Sequence, residues 1–382
     1  MPVIFIKNGE LLDPESGMKR EDSILIRDGK IAAIGGPRPD DAQFTVDAAG
    51  CLITPGLYDS HAHLYPCIKN GVPAEAFCFP SGVTGAVDAG STGCATHHFT
   101  EDFFANSRLT VKCWLHVCST GLSSLPVLED VRPAHFDRKG IEKVIEKHPD
   151  RIMGLKLRTS KNVVGELGYE PLRQTVKLAG ELGVPVMVHC TNPPGPMEEL
   201  LDLLRPGDVL THMYQNTGFT ILDKTGHISQ AARDARKRGV LFEAADARFH
   251  FSFEVGQTGI DEEFWPDFIG TDSTMASLFQ KPTAFSMAMQ VNKYISMGLP
   301  LEETFRRCTS NTAKFLGVFA ERGSLTVGKA ADIAVFRKVD KPETFGDRPE
   351  IDPTQNLLEG RITLAPVLTV KDGEFVYRDL MF

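Results

Sequence analysis

Short runs of alternating apolar and polar residues occupy both ends of the chain. Near the start, three runs are separated by Asn8-Gly9 and by Asp28-Gly29, and an Asp-Gly pair between such runs is typical of a β-hairpin. The predicted strands of the two ends are Val3–Ile6, Ser23–Arg27, Lys30–Ile34, Ala331–Phe336, Ala365–Lys371 and Phe375–Tyr377. Because chain termini often lie close together, this pattern predicts a small β-sandwich domain formed by both chain ends, residues 1–53 and 318–382.

Between these ends, apolar runs of strand length alternate with segments of helical periodicity. The predicted strands are the run ending at His61, Thr84–Ala89, Lys112–Cys118, Ile152–Leu157, Pro185–Cys190, Asp208–His212, Val240–Ala245 and Phe268–Thr271. The predicted helices are Gly140–Lys147, Glu170–Leu182, Met197–Leu204, Ser229–Arg238 and Leu301–Leu316. Eight strands alternating with helices predict an α/β fold, a (β/α)8 TIM barrel over residues 54–317. The segment 340–356, rich in Pro, Asp and Lys, is predicted to be a loop.

Composition narrows the class of protein. The 382 residues are 42% apolar and 24% charged, which is typical of a soluble globular protein. A net charge of −9 without a basic block argues against a nucleic-acid partner or an anionic membrane surface. Eight cysteines without a C-x-x-C pair indicate reduced thiols and a cytoplasmic location. Lys7 and Glu10 interrupt the first apolar stretch, so it predicts neither a signal peptide nor a membrane span.

Polar residues of one chemical kind follow the predicted barrel strands. Residues two apart on a strand point to the same side, so His61 and His63 present two imidazoles together. Taken singly, each residue has a purely structural explanation. A histidine at a strand end is typically a hydrogen-bonded core residue, Asp272 could be a helix N-cap, and Lys156 could be an ion-paired lysine. Barrel enzymes place catalytic groups at the carboxyl ends of their strands, and six candidates in order on that rim indicate a metal site. They are His61, His63, Lys156, His189, His212 and Asp272.

Lys156 lies inside an apolar strand and needs its own explanation. Desolvation and a neighbouring divalent cation both disfavour its ammonium form and lower its pKa. A neutral amine can take up CO2 and become a carbamate, which would bridge two metal ions as a carboxylate does. The lysine therefore fits this position if it is carbamylated, or if it pairs with an acid elsewhere in the chain.

Several motifs together make the sequence resemble the amidohydrolase superfamily, in its binuclear branch with a carbamylated lysine. They are Ile53-Thr-Pro-Gly-Leu-Tyr-Asp-Ser-His-Ala-His63, the ligand order already given, Thr309-Ser-Asn-Thr-Ala-Lys314, and the stretch from Gly323 to Val335. Within that superfamily, Gly154-Leu-Lys-Leu-Arg158 and the stretch from Val186 to Pro194 resemble a dihydroorotase-like group that includes hydrolases of N-acyl and O-acyl small molecules. The resemblance covers nearly the whole chain.

The resemblance implies a role for each candidate. His61 and His63 would bind one metal ion with Asp272, while His189 and His212 would bind a second. Carbamylated Lys156 and a hydroxide would bridge the two ions, which lower the pKa of the shared water. Asp272 would take the proton and pass it to the leaving group. Zinc is the first expectation for such donors, with manganese or iron as alternatives, and relatives of this kind commonly form homo-oligomers.

The chain departs from the dihydroorotase pattern at the substrate. Tyr65 stands where dihydroorotases usually carry a carboxylate-binding arginine, and a phenol cannot replace a guanidinium. Arg158, on the same side as Lys156, is an alternative carboxylate ligand or else an ion pair on the outer rim. The seventh strand is followed by Asp246, Arg248 and His250, candidates for a different substrate pocket. Further candidates for substrate contact are Tyr65, Tyr214 and Asn216, and His116 and Cys118 are either pocket residues or a buried structural pair.

The function predicted from these residues is metal-dependent hydrolysis of an amide or ester bond, deacetylase-like, in a small acidic molecule. A cyclic-amide hydrolase of the dihydroorotase or hydantoinase kind is the alternative. A mononuclear deaminase would use His61, His63, His189 and Asp272, and would leave Lys156 unexplained. An inactive scaffold would have lost ligands, whereas all six candidates are present.

Overall fold

The computed structural model of the protein describes residues 1–125, 129–348, 355–360 and 362–382. In chain order, the described strands are β1 Ile4–Asp13, β2 Met18–Arg27, β3 Lys30–Ile34, β4 Phe44–Asp47, β5 Cys51–Pro55, β6 Leu57–Ala62, β7 Val83–Gly93, β8 Thr110–His116, β9 Ile152–Arg158, β10 Val186–His189, β11 Val209–Thr211, β12 Leu241–Ala245, β13 Phe268–Gly270, β14 Ile333–Val339, β15 Thr344–Gly346, β16 Leu357–Glu359, β17 Thr363–Lys371 and β18 Glu374–Arg378. The described α-helices are α1 Ala74–Cys78, α2 Glu101–Ala105, α3 Arg138–Lys147, α4 Lys161–Val164, α5 Glu170–Leu182, α6 Met197–Leu203, α7 Gln230–Arg238, α8 Phe253–Asp261, α9 Met287–Ser296, α10 Leu301–Cys308 and α11 Ser310–Phe315.

The two ends of the chain form one β-domain, as the sequence predicts. Its strands are hydrogen-bonded in the order β18-β17-β14-β5-β1-β2-β3, and β4 pairs with β1. The Asp28-Gly29 pair makes the predicted hairpin, and both residues have positive φ (51° and 75°), as a type I′ turn requires. The prediction of a break at Asn8-Gly9 is wrong: β1 continues through a register shift there, and Asn8 tolerates the positive φ of 62°.

This sheet folds over on itself, so one hydrogen-bonded sheet supplies both layers of the predicted sandwich. Ile26, Ile31, Ile333 and Val370, from strands at opposite ends of the order, share one buried apolar cluster. The turn at Asp28-Gly29 also accepts a hydrogen bond from Ala331, which leads into β14. Strand β5 runs on to residue 55, and the division at residues 53 and 54 stays a prediction.

The middle of the chain forms the predicted barrel. Strands β6 to β13 are parallel and follow one another in sequence order, and every predicted barrel strand is present. Asp59 on β6 closes the barrel by accepting hydrogen bonds from the backbone N–H (2.9 Å) and the hydroxyl (2.7 Å) of Thr271, just after β13. The N–H of His63 donates to the carbonyl of Ser273 at 3.2 Å. These bonds fix the first and last barrel strands in register.

The predicted helices are present, with one correction. The predicted helix Leu301–Leu316 is two helices, α10 and α11, because Thr309 leaves the helical region (φ −130°, ψ −94°) and its hydroxyl donates to the carbonyl of Phe305. The loop predicted over 340–356 contains the short strand β15, and its residues 349–354 lie outside the described part. None of the described helices is both long and apolar enough to cross a bilayer. The cytoplasmic location stays a prediction.

Candidate metal centre and active site

A cavity of about 130 Å³ opens at the carboxyl ends of the barrel strands. Its wall includes all six side chains that the sequence predicts as metal ligands: His61, His63, Lys156, His189, His212 and Asp272. All six are nearly buried. The cavity is therefore large enough for several water molecules or for one small acyl group.

The first group of donors surrounds Asp272. Its Oδ1 lies 3.5 Å from Nε2 of His61 and 3.3 Å from Nε2 of His63, and its Oδ2 lies 3.9 Å from Nε2 of His212. One donor atom each from His61, His212 and Asp272 falls within 4.8 Å of the others. His61 and His63 therefore both lie near Oδ1 of Asp272, as predicted for the first metal ion. The compact donor group contains His212, which was predicted for the second ion, in place of His63.

The second group consists of three imidazoles. Donor nitrogens of His189, His212 and His250 lie within 4.8 Å of one another. His212 donates from Nδ1 to the carbonyl of Ala245 at 2.6 Å, which leaves Nε2 with a lone pair. That Nε2 atom is buried and has no hydrogen-bond partner in the described structure. A buried acceptor without a partner is costly, and a metal ion at this point would satisfy it.

Two predicted ligands are oriented by side chains that the sequence interpretation missed. Nδ1 of His61 lies 2.8 Å from Oε2 of Glu243 on β12. Nδ1 of His63 lies 3.0 Å from the hydroxyl of Ser91, which donates to Asp88 at 2.7 Å. Fixing Nδ1 in this way directs Nε2 at the cluster. The available signal was a carboxylate inside an otherwise apolar strand, since Glu243 lies within Val240–Ala245 and Asp88 within Thr84–Ala89.

We expect Glu243→Gln to weaken metal binding about 10- to 100-fold, the usual cost of losing an outer partner of a ligand histidine. The amide keeps the size of the side chain but removes the charge that favours the Nδ1–H tautomer of His61. Competition with a chromophoric chelator measures the affinity. Glu262→Gln, a change at an exposed ion pair with His227, is the matched control. Unchanged affinity in the Glu243 variant would show that the contact is only structural.

Lys156 lies against the first group. Its Nζ is 3.3 Å from Nε2 of His61 and 3.2 Å from the sulfur of Met187. Gly90 makes room for its stem: a Cβ atom there would lie 2.8 Å from Cγ of Lys156, and the φ of +87° also favours glycine. Burial lowers the pKa of the lysine to about 8, so about a tenth of the amine is neutral at pH 7.

Backbone conformation and charge also mark the site. His212 and Asp272 both have positive φ (63° and 48°), which is uncommon for residues other than glycine and is concentrated at functional sites. Burial raises the pKa of the Asp272 carboxyl, but the surrounding imidazoles outweigh burial and hold the pKa below its usual range. Burial lowers the pKa values of His61, His189 and His212. The site therefore offers a carboxylate, and burial favours the neutral form of His61, His189 and His212.

Of the predicted substrate-contacting residues, Arg158 and His250 line the cavity. The prediction for Tyr214 is wrong: the side chain is fully buried in the hydrophobic core, and its hydroxyl donates to the carbonyl of Phe264. The positive φ of His212 turns the chain after β11, so strand alternation does not extend to this residue.

Three further predicted contacts lie outside the cavity wall. Tyr65 packs edge-on against Phe103, with 5.8 Å between ring centroids. Arg248 donates to Gln280 and lies over the ring of Phe249. Asn216, half-buried, is also not part of the wall. His116, in contrast, does line the cavity.

The donor set fits divalent metal ions. Imidazole nitrogens and carboxylate oxygens converge in one buried place, and an unpartnered Nε2 atom points there. Such donors suit zinc, manganese or iron. The barrel and this site together define the class of metal-dependent hydrolases that work at the carboxyl ends of barrel strands.

Comparison with known proteins agrees with this class. Residues 261–377 match the Amidohydrolase family. Deacetylase Atu3266 of Agrobacterium fabrum (strain C58 / ATCC 33970) is 31% identical over 366 residues, which cover 94% of this chain and 88% of the relative. A crystal structure of a dihydroorotase superposes with a TM-score of 0.88 at 28% identity, covering 99% of this chain and 98% of that one. A crystal structure of an adenine deaminase superposes with a TM-score of 0.87 at 26% identity, covering 99% of this chain and 100% of that one.

The chain belongs to the amidohydrolase superfamily, in its dihydroorotase-like group. It is a hydrolase that uses divalent metal. The predictions of family, fold class and hydrolytic function are confirmed.

Proposed function

We propose that this protein removes an acyl group, in the manner of a deacetylase, from the nitrogen or oxygen of a small molecule, using two divalent metal ions and a carbamate on Lys156. The observation that carries the proposal is the pair of donor groups that share His212, with Lys156 lying against the first of them. Two ions supply Lewis-acid activation of a water molecule and of the substrate carbonyl when they are bound.

The residues of the chain then have separate tasks. His61 and His63 would hold one ion with Asp272, and His189 and His212 would hold the other. Lys156, which lines the cavity beside His61, would as a carbamate supply a carboxylate-like ligand. Its neighbours support this role, because the unmodified ammonium has only an imidazole nitrogen and a thioether sulfur as recorded polar contacts among the described residues. Neither carries a negative charge, so neither neutralises a buried cation.

Asp272 is suited to moving a proton. One of its oxygens faces His61 and His63, and the other faces His212 and His250, so the carboxylate reaches both groups. In hydrolysis one Oδ atom of Asp272 would accept the proton of the attacking water and then donate it to the leaving nitrogen or oxygen. The backbone N–H of Asp272 donates a hydrogen bond to the carbonyl of His61 at 2.6 Å. This bond fixes the left-handed backbone of Asp272, which holds the side chain at the cavity.

Deacylation accounts for the residues better than the alternatives do. Tyr65 lies outside the cavity wall and is not the arginine of dihydroorotases, which counts against dihydroorotate as substrate. A mononuclear deaminase would use His189 but would leave Lys156 and His212 unused, although His212 lies beside His189. Deacetylase Atu3266 is similar along nearly the whole chain. The dihydroorotase structure keeps ring opening of a cyclic amide as the second candidate.

We expect zinc- or manganese-loaded protein to contain about two equivalents of metal and to release acetate from N-acetyl amino acids or acetylated hydroxy acids. Elemental analysis counts the ions, and a coupled acetate assay with a panel of cyclic amides beside it identifies the bond. One equivalent with release of ammonia would indicate a deaminase. Hydrolysis confined to cyclic amides would overturn deacylation in favour of the second candidate. The predicted homo-oligomer is measured by light scattering on the same samples.

A further inference from the structure

One wall of the cavity carries a cationic side chain that the metal centre does not use. Arg158 follows Lys156 by two residues on β9, so both side chains point to the same side of the strand and both line the cavity. Two residues of strand span about 7 Å. A group bound by Arg158 would therefore lie a few bonds away from a carbonyl held at the metal centre.

The guanidinium of Arg158 is fixed by a buried carboxylate. Nη1 donates to Oε2 of Glu129 at 2.7 Å, and the Glu129 side chain is only 4% exposed. The other oxygen, Oε1, lies 3.0 Å from Nε2 of His116, although not in the line of a good hydrogen bond. The backbone N–H of Cys118 donates to Nδ1 of His116 at 3.0 Å. Nδ1 is thus the acceptor, and the proton of the neutral ring is on Nε2, facing Glu129.

A purely structural ion pair explains this arrangement poorly. Burying a carboxylate is costly, and replacing such a pair with apolar residues often stabilises a protein. The Arg158 side chain also stays 23% exposed toward the cavity. Among the described residues, Glu129 is the only recorded hydrogen-bond partner of its guanidinium, so most of its five N–H groups are available. An arginine held at one edge presents its remaining N–H groups as a fork for a planar anion.

We propose that Arg158 binds the carboxylate of the substrate, and that Glu129 and His116 position it, so that the preferred substrate is an acylated amino or hydroxy acid. This inference rests on the proposed deacylase function and names its substrate class. Arg248 is the other rim arginine that could serve, but it is occupied by Gln280 and lies outside the cavity wall. The assignment makes Arg158 the specificity-determining residue and Glu129 a positioning residue.

Matched pairs of compounds test the assignment. Each pair is an N-acetyl amino acid, or an acetylated hydroxy acid, and its primary carboxamide, which differ only in the anionic group. We expect the wild type to prefer the acid. Arg158→Gln should lower kcat/KM for the acid about 100-fold, through KM, because two charge-assisted hydrogen bonds are lost. Activity on the carboxamide should change by less than about threefold, and Arg158→Lys should be intermediate because it keeps the charge without the fork.

Glu129→Gln and Arg248→Gln complete the set. The first keeps one hydrogen bond to Arg158 but loses the charge, and we expect about a tenfold rise in KM for the acid with unchanged metal content. The second is the matched control and should keep the wild-type preference. An equal fall for acid and carboxamide in Arg158→Gln, or loss of preference in Arg248→Gln, would overturn the assignment.

Direct binding separates this inference from the proposed function. Calorimetric titration of the metal-loaded protein with the deacetylated acid and with its carboxamide needs no turnover. Tighter binding of the acid in wild type but not in Arg158→Gln supports the carboxylate site even if acetyl compounds are not hydrolysed. If acetyl compounds are hydrolysed but neither the kinetics nor the titration shows a preference for the acid, the deacylase function is supported and the carboxylate site is refuted.

Discussion

Asp272→Asn is expected to lower kcat by about 10²- to 10⁴-fold, the usual contribution of a general acid–base group, while the protein keeps its fold and most of its metal. An amide has nearly the same shape as the carboxylate and still offers one oxygen to the ion that His61 and His63 bind. It cannot take up the proton of the attacking water. The loss should therefore appear in kcat and not in the number of bound ions.

Asp267→Asn is the matched control for this variant. Asp267 precedes β13 and Asp272 follows it, so the two aspartates lie at opposite ends of the same strand. Asp267 accepts a hydrogen bond from the N–H of Phe242, outside the cavity wall, and an amide oxygen can keep that bond. Steady-state kinetics with elemental analysis compares the two proteins. Near wild-type kcat in Asp272→Asn would remove the aspartate from proton transfer.

Much of the fold could be predicted because its signals are local. Each barrel strand is a short apolar run, and the helix Glu170–Leu182 has the predicted bounds, with Pro171 in the first turn and Gly183 in the left-handed conformation after its end. The errors occur where a local signal is ambiguous. Asn8-Gly9 resembles a turn but forms an irregularity inside β1, and nothing in the periodicity around Thr309 marks the break between α10 and α11.

The candidate site divides in the same way. The convergence of the six candidate residues on one cavity could be predicted because barrel strands bring their carboxyl ends to one rim. The side chains that orient them could not be found in this way. Glu243 reaches His61 across 182 residues, and Glu129 reaches Arg158 from a loop that no periodicity describes. The side-chain directions of residues beyond a strand end are the least predictable. The left-handed backbone of His212 turns the chain there, so the alternation of β11 does not predict which way Tyr214 points.

Replacing Lys156 tests the part of the proposal on which the two-ion centre depends. We expect Lys156→Ala to lose metal and to lower activity by more than about 100-fold, the upper range for loss of an outer partner of a ligand, because a bridging ligand contacts both ions. The variant leaves a space beside Gly90 and His61 that a short carboxylic acid can enter. Added formate or acetate should therefore restore part of the metal binding and of the activity, whereas the corresponding amides should not.

The carbamate itself can be observed in the wild type. Protein loaded with metal in ¹³C-bicarbonate should show one enriched carbonyl resonance that is missing from Lys156→Ala. The buried amine favours this reaction, since desolvation already disfavours the ammonium and carbamylation replaces a cation with an anion that two metal ions stabilise. Two equivalents of metal bound with wild-type affinity in Lys156→Ala, or no enriched resonance in active wild type, would show that the ions are held without the lysine. In that case the role of His250, the third imidazole beside His189 and His212, becomes the next question for the second ion.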